Sequence, residues 1–172
     1  VTEPGPVRIV TGDRDLFQLV NDDPDVQVIY LAKGISQHDL VNRDWISKKY
    51  EIPGERYGLF ATFRGDPSDG LPGVKGIGEK GAALIARHYE SAEEAIKGAL
   101  ADHDHLSPAL RKKIIEGQEY LSFAPKLVAC ATDVPLPKID LSIPKKPKSL
   151  DEINRFKDCL LYTSDAADDI CT

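Results

Sequence analysis

The chain has 172 residues, 41% of them hydrophobic and 29% charged, which is enough for one ordinary hydrophobic core and a small second lobe. No run approaches the roughly 20 apolar residues of a membrane-spanning helix, so the composition excludes an integral membrane protein and we expect no membrane partner. The 22 basic and 28 acidic residues give a net charge of −6, which by itself argues against a nucleic-acid-binding protein.

The first part of the chain predicts the end of an α/β sheet. Val7–Thr11 is a β-branched run that predicts a buried strand. Asp13 follows where a helix N-cap belongs, and residues 16–20 have the apolar spacing of a short helix. A second strand is predicted over 26–31. This strand–helix–strand order is typical of an α/β fold.

The rest of the chain predicts mainly helices. Three are predicted from apolar spacing, over 39–50, 57–63 and 79–89. The core candidates of the first are Leu40, Trp45 and Ile46. Two more helices are predicted from their caps: Ser91 with Glu94 forms a capping box, and Ser107 precedes Pro108 at a first helical position. Residues 65–81 hold six glycines and predict a structured set of turns.

Charge is distributed unevenly, and two segments are basic. Residues 70–88 carry three bases and one acid, and residues 107–148 carry eight bases and four acids. A local field of this kind matters more for a charged partner than the net charge does. Arg111-Lys112-Lys113 is either part of a phosphate-binding track or a solvated helix face.

Two acidic motifs are candidates for metal binding. Asp13-Arg14-Asp15 follows a predicted strand, and Asp66-Pro67-Ser68-Asp69 lies in the glycine-rich turns. Carboxylate oxygens are the ligands that Mg²⁺ prefers, and acids at the carboxyl end of a strand lie where α/β proteins bind ligands. A metal would also explain four converging negative charges. The alternative is that Asp13 and Asp66 only cap a helix or a turn, and spacing alone leaves both open.

The segment Leu71 to Lys80 admits three interpretations. A Walker A loop is disfavoured, because Glu79 and Gly81 stand where that motif requires Gly and Ser or Thr. Residues 76–81 match G-x-G-x-x-G, but no strand precedes them, which argues against a dinucleotide site. We favour a helix–hairpin–helix, whose backbone amides bind a DNA phosphate without reading sequence. A plain packing element is the remaining alternative.

These motifs, in this order, resemble the 5′–3′ exonuclease or flap endonuclease family. That family includes stand-alone bacterial enzymes and the N-terminal nuclease domain of DNA polymerase I. The match rests on residues 11–19, which begin Thr11-Gly12-Asp13-Arg14-Asp15, and on residues 65–80, with looser similarity over 7–141. The resemblance implies the C-terminal portion of a PIN-like α/β nuclease domain, followed by a mostly helical helix–hairpin–helix subdomain.

The resemblance also implies a Mg²⁺-dependent mechanism on DNA, with two Mg²⁺ (or Mn²⁺) ions. The implied catalytic and metal-binding residues are Asp13, Asp15, Asp66 and Asp69. The implied DNA contacts are Arg14, Gly73, Lys75, Gly76, Ile77, Gly78 and Lys80. A K⁺ ion at the hairpin, a branched or nicked duplex with a 5′ flap as substrate, a monomer, and a bacterial cytoplasm with nucleoid association complete the expectation.

Two departures from the family pattern bear on this interpretation. Gly70 stands where many members have Asn, as in actinobacterial-type stand-alone enzymes, and Gly81 stands where Thr is common. The acids of the family's N-terminal half have no counterpart, so we expect a fragment with little or no activity alone. A polymerase-fused form stays open, and the alternative function is a non-catalytic helix–hairpin–helix DNA-binding module.

We therefore predict four segments. Residues 1–52 belong to the nuclease domain, 53–141 form the DNA-binding subdomain, and 142–158 form a linker or extension. Residues 159–172 resemble a translated sequencing adapter and are excluded from fold reasoning. The three cysteines are an odd number with no close pairing, so no disulfide framework is indicated. Two of them lie in that tail, and Cys130 is predicted as a core residue on an apolar helix.

Overall fold

The computed structural model describes residues 5–32, 34–101, 105–135, 137, 149–151 and 153–155. Two compact units are distinguished, Val1–Thr132 and Asp133–Thr172. The first unit holds the fold described below. The predicted linker, 142–158, and the predicted adapter, 159–172, fall in the second unit and lie largely outside the described residues. In the described part of the chain, no helix has the length and apolar character needed to cross a membrane.

The fold of the first unit is mixed α/β, as predicted, with four strands and six α-helices among its described residues. The strands are β1 Val7–Thr11, β2 Asn21–Asp22, β3 Asp25–Tyr30 and β4 Asp39–Val41. The helices are α1 Arg43–Tyr50, α2 Tyr57–Arg64, α3 Glu79–His88, α4 Ala92–Leu100, α5 Pro108–Glu116 and α6 Gln118–Val128. The predicted helices over 57–63 and 79–89 are confirmed to within a residue at each end.

Strand β3 is the centre of the sheet. It pairs in parallel with β1, with Ile9 opposite Val28, and antiparallel with β2 and β4 on its other side. Strand β1 therefore lies at an edge of the described sheet. The prediction that it is buried was wrong: Val10 is 61% exposed, because β1 has only β3 beside it.

The predicted helix over 39–50 begins later than expected. Residues 39–41 form β4 instead, and Leu40, predicted in the core, is 49% exposed. The helix begins at Arg43 because Asn42 caps it: the Trp45 N–H donates to Asn42 Oδ1 over 2.8 Å. Ile46 is buried as predicted.

Aromatic side chains fill the core beside the sheet. Phe17, Tyr57 and Phe60 are almost completely buried, and the ring centroids of Phe17 and Tyr57 are 5.2 Å apart. Phe17 comes from a 3-10 helix, Asp15–Leu19, that follows β1. Helix α2 carries Tyr57 and Phe60 and packs against both α3 and α6. The core thus fixes the 3-10 helix after β1 against α2, which precedes the second acidic motif.

Serine caps begin two of the C-terminal helices. The Glu94 N–H donates to Ser91 Oγ, and the Leu110 N–H donates to Ser107 Oγ, each over 3.2 Å. The Glu94 carboxylate accepts from the Glu90 N–H rather than from that of Ser91, one residue earlier than in a standard capping box. Both predicted helix starts are confirmed.

Removing a cap should lower stability measurably. We expect Ser107→Ala to lower the free energy of unfolding by about 1 kcal/mol, because the Leu110 N–H loses its acceptor. Urea denaturation followed by circular dichroism measures the change. Ser47→Ala, on the exposed face of α1, is the matched control and should have little effect. An equal loss in the two variants would contradict the capping role.

Cys130 does not lie on a helix. Helix α6 ends at Val128, and the half-buried Cys130 thiol donates to the Asp15 carbonyl over 3.6 Å. Burial raises the pKa of the thiol, with smaller contributions from the charges of Asp15 and Asp13. The cysteine predicted as a helical core residue therefore contacts the loop that carries the first acidic motif.

Candidate functional site

The first acidic motif lies where β1 ends. The Asp13 N–H donates to Thr11 Oγ1 over 3.0 Å, and the Asp15 N–H donates to Asp13 Oδ1 over 2.9 Å. Asp13 was predicted at the N-cap of the 3-10 helix, but Arg14 occupies that position and Asp13 lies one residue before it. The Asp13 side chain still accepts from the first helical residue, Asp15. The alternative interpretation, in which Asp13 only caps a helix, requires one Asp13 oxygen. It gives no role to the Asp15 carboxylate.

The second acidic motif is a closed turn after α2. Asp66 and Leu71 exchange both backbone hydrogen bonds, at 2.9 and 3.0 Å, and the Asp69 N–H donates to the Asp66 carbonyl. Gly70 has a φ of +72° at the end of this turn, a conformation that Gly and Asn adopt more readily than other residues. The turn fixes the backbone between the two aspartates of the motif.

The fold brings the two motifs near each other. Burial raises the pKa of the Asp15 carboxyl, and the negative charges of Asp13, Asp69 and Asp66 raise it further, in that order of effect. The Asp15 carboxyl therefore ionises less readily than an isolated aspartate. Within the described residues, no group of three or more His, Cys, Asp or Glu side chains is arranged to hold a metal ion.

Asp66 differs from the other three acids because it is buried and ion-paired. Its residue is 8% exposed, and its Oδ2 lies 3.8 Å from Arg14 Nη2 and 3.6 Å from Arg64 Nη2. The Arg64 guanidinium also lies over the Phe60 ring, 5.1 Å from its centroid, and donates from Nε to the Gly65 carbonyl. Two arginines from separate segments thus compensate the charge of Asp66.

Arg64 was missed by the sequence analysis. Only its position immediately before the Gly65–Asp66 turn could have indicated it, and no residue pattern specifies which side chain pairs with a buried aspartate. Arg14, predicted as a DNA contact or a surface charge, is partly exposed and pairs with Asp66. The predicted contact between Arg14 and DNA stays a prediction.

The donor chemistry of the cluster fits a divalent cation. Asp13, Asp15, Asp66 and Asp69 offer carboxylate oxygens, the donors that Mg²⁺ and Mn²⁺ take. Asp66 already has two guanidinium partners, and the described residues contain no group of three or more acids, histidines or cysteines arranged to hold a metal ion. The four acids therefore fit part of a ligand set and not a whole one.

The glycine-rich hairpin connects the second motif to α3. The Ile77 N–H donates to the Val74 carbonyl over 2.9 Å, and Val74 and Ile77 are buried while Lys75, Gly76 and Gly78 are exposed. Any DNA contact by Ile77 would therefore be made by its backbone. The structure has the turn between helices that the favoured interpretation requires.

The exposed side of this hairpin carries unpaired backbone donors. In the described residues, no acceptor faces the N–H groups of Gly76 or Gly78, and no side chain caps α3. Free N–H groups at a helix N-terminus favour binding of a phosphate. Lys75 and Lys80, both exposed, add positive charge beside them.

Gly73 has a steric role in the structure. It is buried, its φ is +67°, and a Cβ there would lie 2.5 Å from the Arg64 carbonyl oxygen. The backbone of the hairpin therefore crosses the end of α2 at a distance that only glycine allows.

The hairpin carbonyls are partly engaged within the chain. The Val74 carbonyl accepts from Ile77, and the Gly76 carbonyl accepts from the Lys113 ammonium over 2.7 Å. A K⁺ ion at the hairpin therefore stays a prediction. Lys112 pairs with Glu116 on the exposed face of α5.

Two acidic motifs beside an α/β sheet, followed by a glycine-rich hairpin, are the arrangement that the resemblance to the 5′ nucleases predicts. A family model described as "5′-3′ exonuclease, C-terminal SAM fold" matches residues 52–149, and the chain belongs to the 5′–3′ exonuclease family. The family resemblance inferred from the motifs is confirmed.

Curated relatives agree with this assignment. A 5′-3′ exonuclease of Streptomyces coelicolor is 46% identical over 145 residues, which are 84% of this chain and 48% of the relative. A 5′-3′ exonuclease of Mycobacterium tuberculosis is 39% identical over 136 residues, 76% of this chain and 43% of the relative. DNA polymerase I of Mycobacterium bovis is 36% identical over 159 residues, 91% of this chain and 17% of the polymerase. The chain spans about half the length of the two exonucleases.

Solved structures share the fold. The T5 5′-exonuclease with bound zinc superposes with a TM-score of 0.56 at 20% identity, covering 72% of this chain and 42% of that one. A T5 flap endonuclease in a pseudo-enzyme-product complex with DNA and metal ions gives the same TM-score at 19% identity and the same coverage.

Proposed function

We propose that this chain is part of a Mg²⁺-dependent 5′–3′ exonuclease and 5′ flap endonuclease that hydrolyses DNA phosphodiester bonds in bacterial replication and repair. The observation that carries the proposal is the proximity of two acidic motifs in a unit that also presents a hairpin, in which the Gly76 and Gly78 N–H groups have no acceptor among the described residues. We further propose a monomer that acts in the cytoplasm, associated with the nucleoid, on nicked or flapped duplex DNA.

Asp13, Asp15, Asp66 and Asp69 would hold the metal ions, two Mg²⁺ or Mn²⁺. When bound, such ions supply Lewis acidity toward a phosphodiester. The chain's own contribution is to fix these oxygens: Asp13 by its hydrogen bond from Asp15, and Asp66 by Arg14 and Arg64. Residues 1–52 and 53–141 each provide one acidic motif, so both proposed domains are needed for the cluster.

The hairpin would bind the duplex arm of the substrate through a backbone phosphate. The N–H groups of Gly76 and Gly78 would donate to its oxygens, and Lys75 and Lys80 would add charge. None of these groups reads a base edge, so binding should not depend on sequence. We keep the K⁺ ion as part of the proposal, at the hairpin carbonyls that accept no hydrogen bond from the described residues.

A non-catalytic DNA-binding module is the second candidate. It is favoured for this chain taken alone, because the described residues contain no group of three acids, histidines or cysteines arranged to hold a metal. The two candidates agree on DNA binding and differ on whether the whole protein hydrolyses DNA.

The purified 172-residue chain should bind nicked duplex DNA without cutting it. We expect a dissociation constant on the order of 10⁻⁶ to 10⁻⁴ M at physiological salt. The logarithm of the association constant should fall with log salt at a slope of about −0.9 for each phosphate contacted. The double substitution of Lys75 and Lys80 by Met should reduce that slope by about two. Fluorescence anisotropy measures binding, and gel analysis with Mg²⁺ measures cleavage.

Two outcomes would contradict this proposal. Binding that is absent, or unaffected by the double substitution, would remove the hairpin as the DNA site. Efficient Mg²⁺-dependent cleavage by the 172-residue chain would show that its four acids suffice. Absence of cleavage by the whole protein would favour the binding module.

A further inference from the structure

Lys113 of helix α5 contacts the hairpin, although it lies well outside the hairpin in the sequence. The Lys113 ammonium donates to the Gly76 carbonyl over 2.7 Å. Gly76 has a φ of +79°, and a Cβ placed there would lie 3.4 Å from Lys113 Nζ and 3.1 Å from Lys113 Cε. The ammonium therefore lies directly against the hairpin turn at Gly76, whose N–H has no acceptor among the described residues.

Packing between α5 and the hairpin holds this lysine in position. Gly117, which follows α5, lies against Val74 so closely that a Cβ on Gly117 would be 2.7 Å from Val74 Cγ1. The Gly117 N–H donates to the Lys113 carbonyl over 2.9 Å, so the lysine backbone belongs to the same contact. The end of α5 and the base of the hairpin are thus one packed element.

The neighbouring lysine provides a contrast on the same helix. Lys112 is 76% exposed in its side chain and pairs with Glu116 at 3.8 Å, four residues along α5. In the described residues, no carboxylate pairs with Lys113, whose ammonium donates to a neutral carbonyl. An ammonium has three donors and a full charge, so one hydrogen bond to a carbonyl leaves both capacity and charge for an anion.

We propose that Lys113 is a phosphate-binding residue of the hairpin, acting with the Gly76 and Gly78 amides on one backbone phosphate. This assignment rests on the proposed DNA binding and adds a contact from a different helix. The lysine would fix the turn through the Gly76 carbonyl and direct its remaining donors to the phosphate. The site would then combine backbone donors from one segment with a charge from another, 37 residues away in the chain.

The test compares four variants of the 172-residue chain for binding to a nicked duplex across a range of salt. K113M should weaken binding about tenfold or more, since a charge-assisted hydrogen bond is lost, and should reduce the salt slope by about one. K113Q keeps a donor for Gly76 but no charge and should lose the same slope. K113R should keep the slope, and K112M is the matched control, with the wild-type slope.

Melting temperatures of all variants separate this role from a merely structural one. A lower melting temperature of K113M with an unchanged salt slope overturns the assignment, as does an equal fall in slope for K112M and K113M. If K113M does not fold, the slope of K113Q decides in the same way. A wild-type chain that binds no duplex overturns the proposed DNA binding together with this assignment, whereas wild-type binding with an unaltered K113Q slope overturns this assignment alone.

Discussion

Asp15→Asn is expected to reduce cleavage by the whole enzyme about a thousandfold or more, and at the same time to stabilise the metal-free protein. The loss of activity follows because an amide is a poor replacement for an anionic metal ligand, and metal catalysis contributes several kcal/mol to the transition state. The gain in stability follows because Asp15 is partly buried and lies near three other carboxylates.

The sign of the stability effect depends on pH. Burial and the neighbouring acids raise the pKa of Asp15 in the folded protein above its unfolded value. The contribution of Asp15 to stability is therefore fully present below the unfolded pKa and is lost as pH rises through the folded pKa. At pH 7 the ionised carboxylate is unfavourable in the fold, and Asn removes that penalty. We expect a higher melting temperature for Asp15→Asn at pH 7 without divalent ions, and a smaller difference near pH 3.

The matched control is Asp23→Asn, an exposed aspartate in the turn between β2 and β3. It makes the same change of charge at the opposite end of the strands from Asp15, so its effects on cleavage and melting temperature should be small. Wild-type cleavage by Asp15→Asn would remove it from the ligand set. A melting temperature that falls at pH 7 would show that the carboxylate stabilises the fold.

Local sequence signals account for much of the fold and for the position of the acids. The β-branched run of β1 and the serine caps of α4 and α5 act over three or four residues, so their patterns survive in the sequence. The glycine-rich hairpin is local in the same sense, because its turn depends on positive φ at Gly73 and Gly76.

Long-range pairing accounts for most of what the sequence could not predict. Residues 39–41 have no strand periodicity of their own and become β4 because β3 offers them an edge. The pairing of Arg64 with Asp66, and of Lys113 with Gly76, depends on which helix ends meet after the core has packed. Secondary-structure propensity and residue spacing carry no information about such tertiary contacts.

Asp66 shows how this affects the interpretation of mutants. The motif alone indicates a metal ligand whose removal should abolish cleavage. Since Asp66 is buried against Arg14 and Arg64, replacing it by Ala also leaves two guanidiniums without that partner and is expected to destabilise the fold. Loss of activity in Asp66→Ala would therefore test the site less cleanly than the same loss in Asp15→Asn.

Gly73→Ala is expected to disrupt the hairpin, although it changes none of the charged residues of the site. Its φ of +67° costs a residue with a Cβ about 1–2 kcal/mol, and that Cβ would also lie 2.5 Å from the Arg64 carbonyl oxygen and 2.7 Å from the Gly65 nitrogen. Both neighbours are backbone atoms at the end of α2, so neither can rotate away. We expect a loss of about 3 kcal/mol or more in the free energy of unfolding, measured by urea denaturation, and at least a tenfold loss in DNA affinity.

Gly70→Ala separates the two causes of that loss. Gly70 has nearly the same φ, +72°, but nothing lies within 4 Å of a Cβ placed there. Its substitution should cost only the conformational strain, about 1–2 kcal/mol, and should leave the crossing of the hairpin over α2 intact. If the two variants lose equal stability, the left-handed conformation alone explains both. If Gly73→Ala binds DNA as the wild type does, the close crossing of the hairpin and α2 is not what holds the phosphate-binding amides in place.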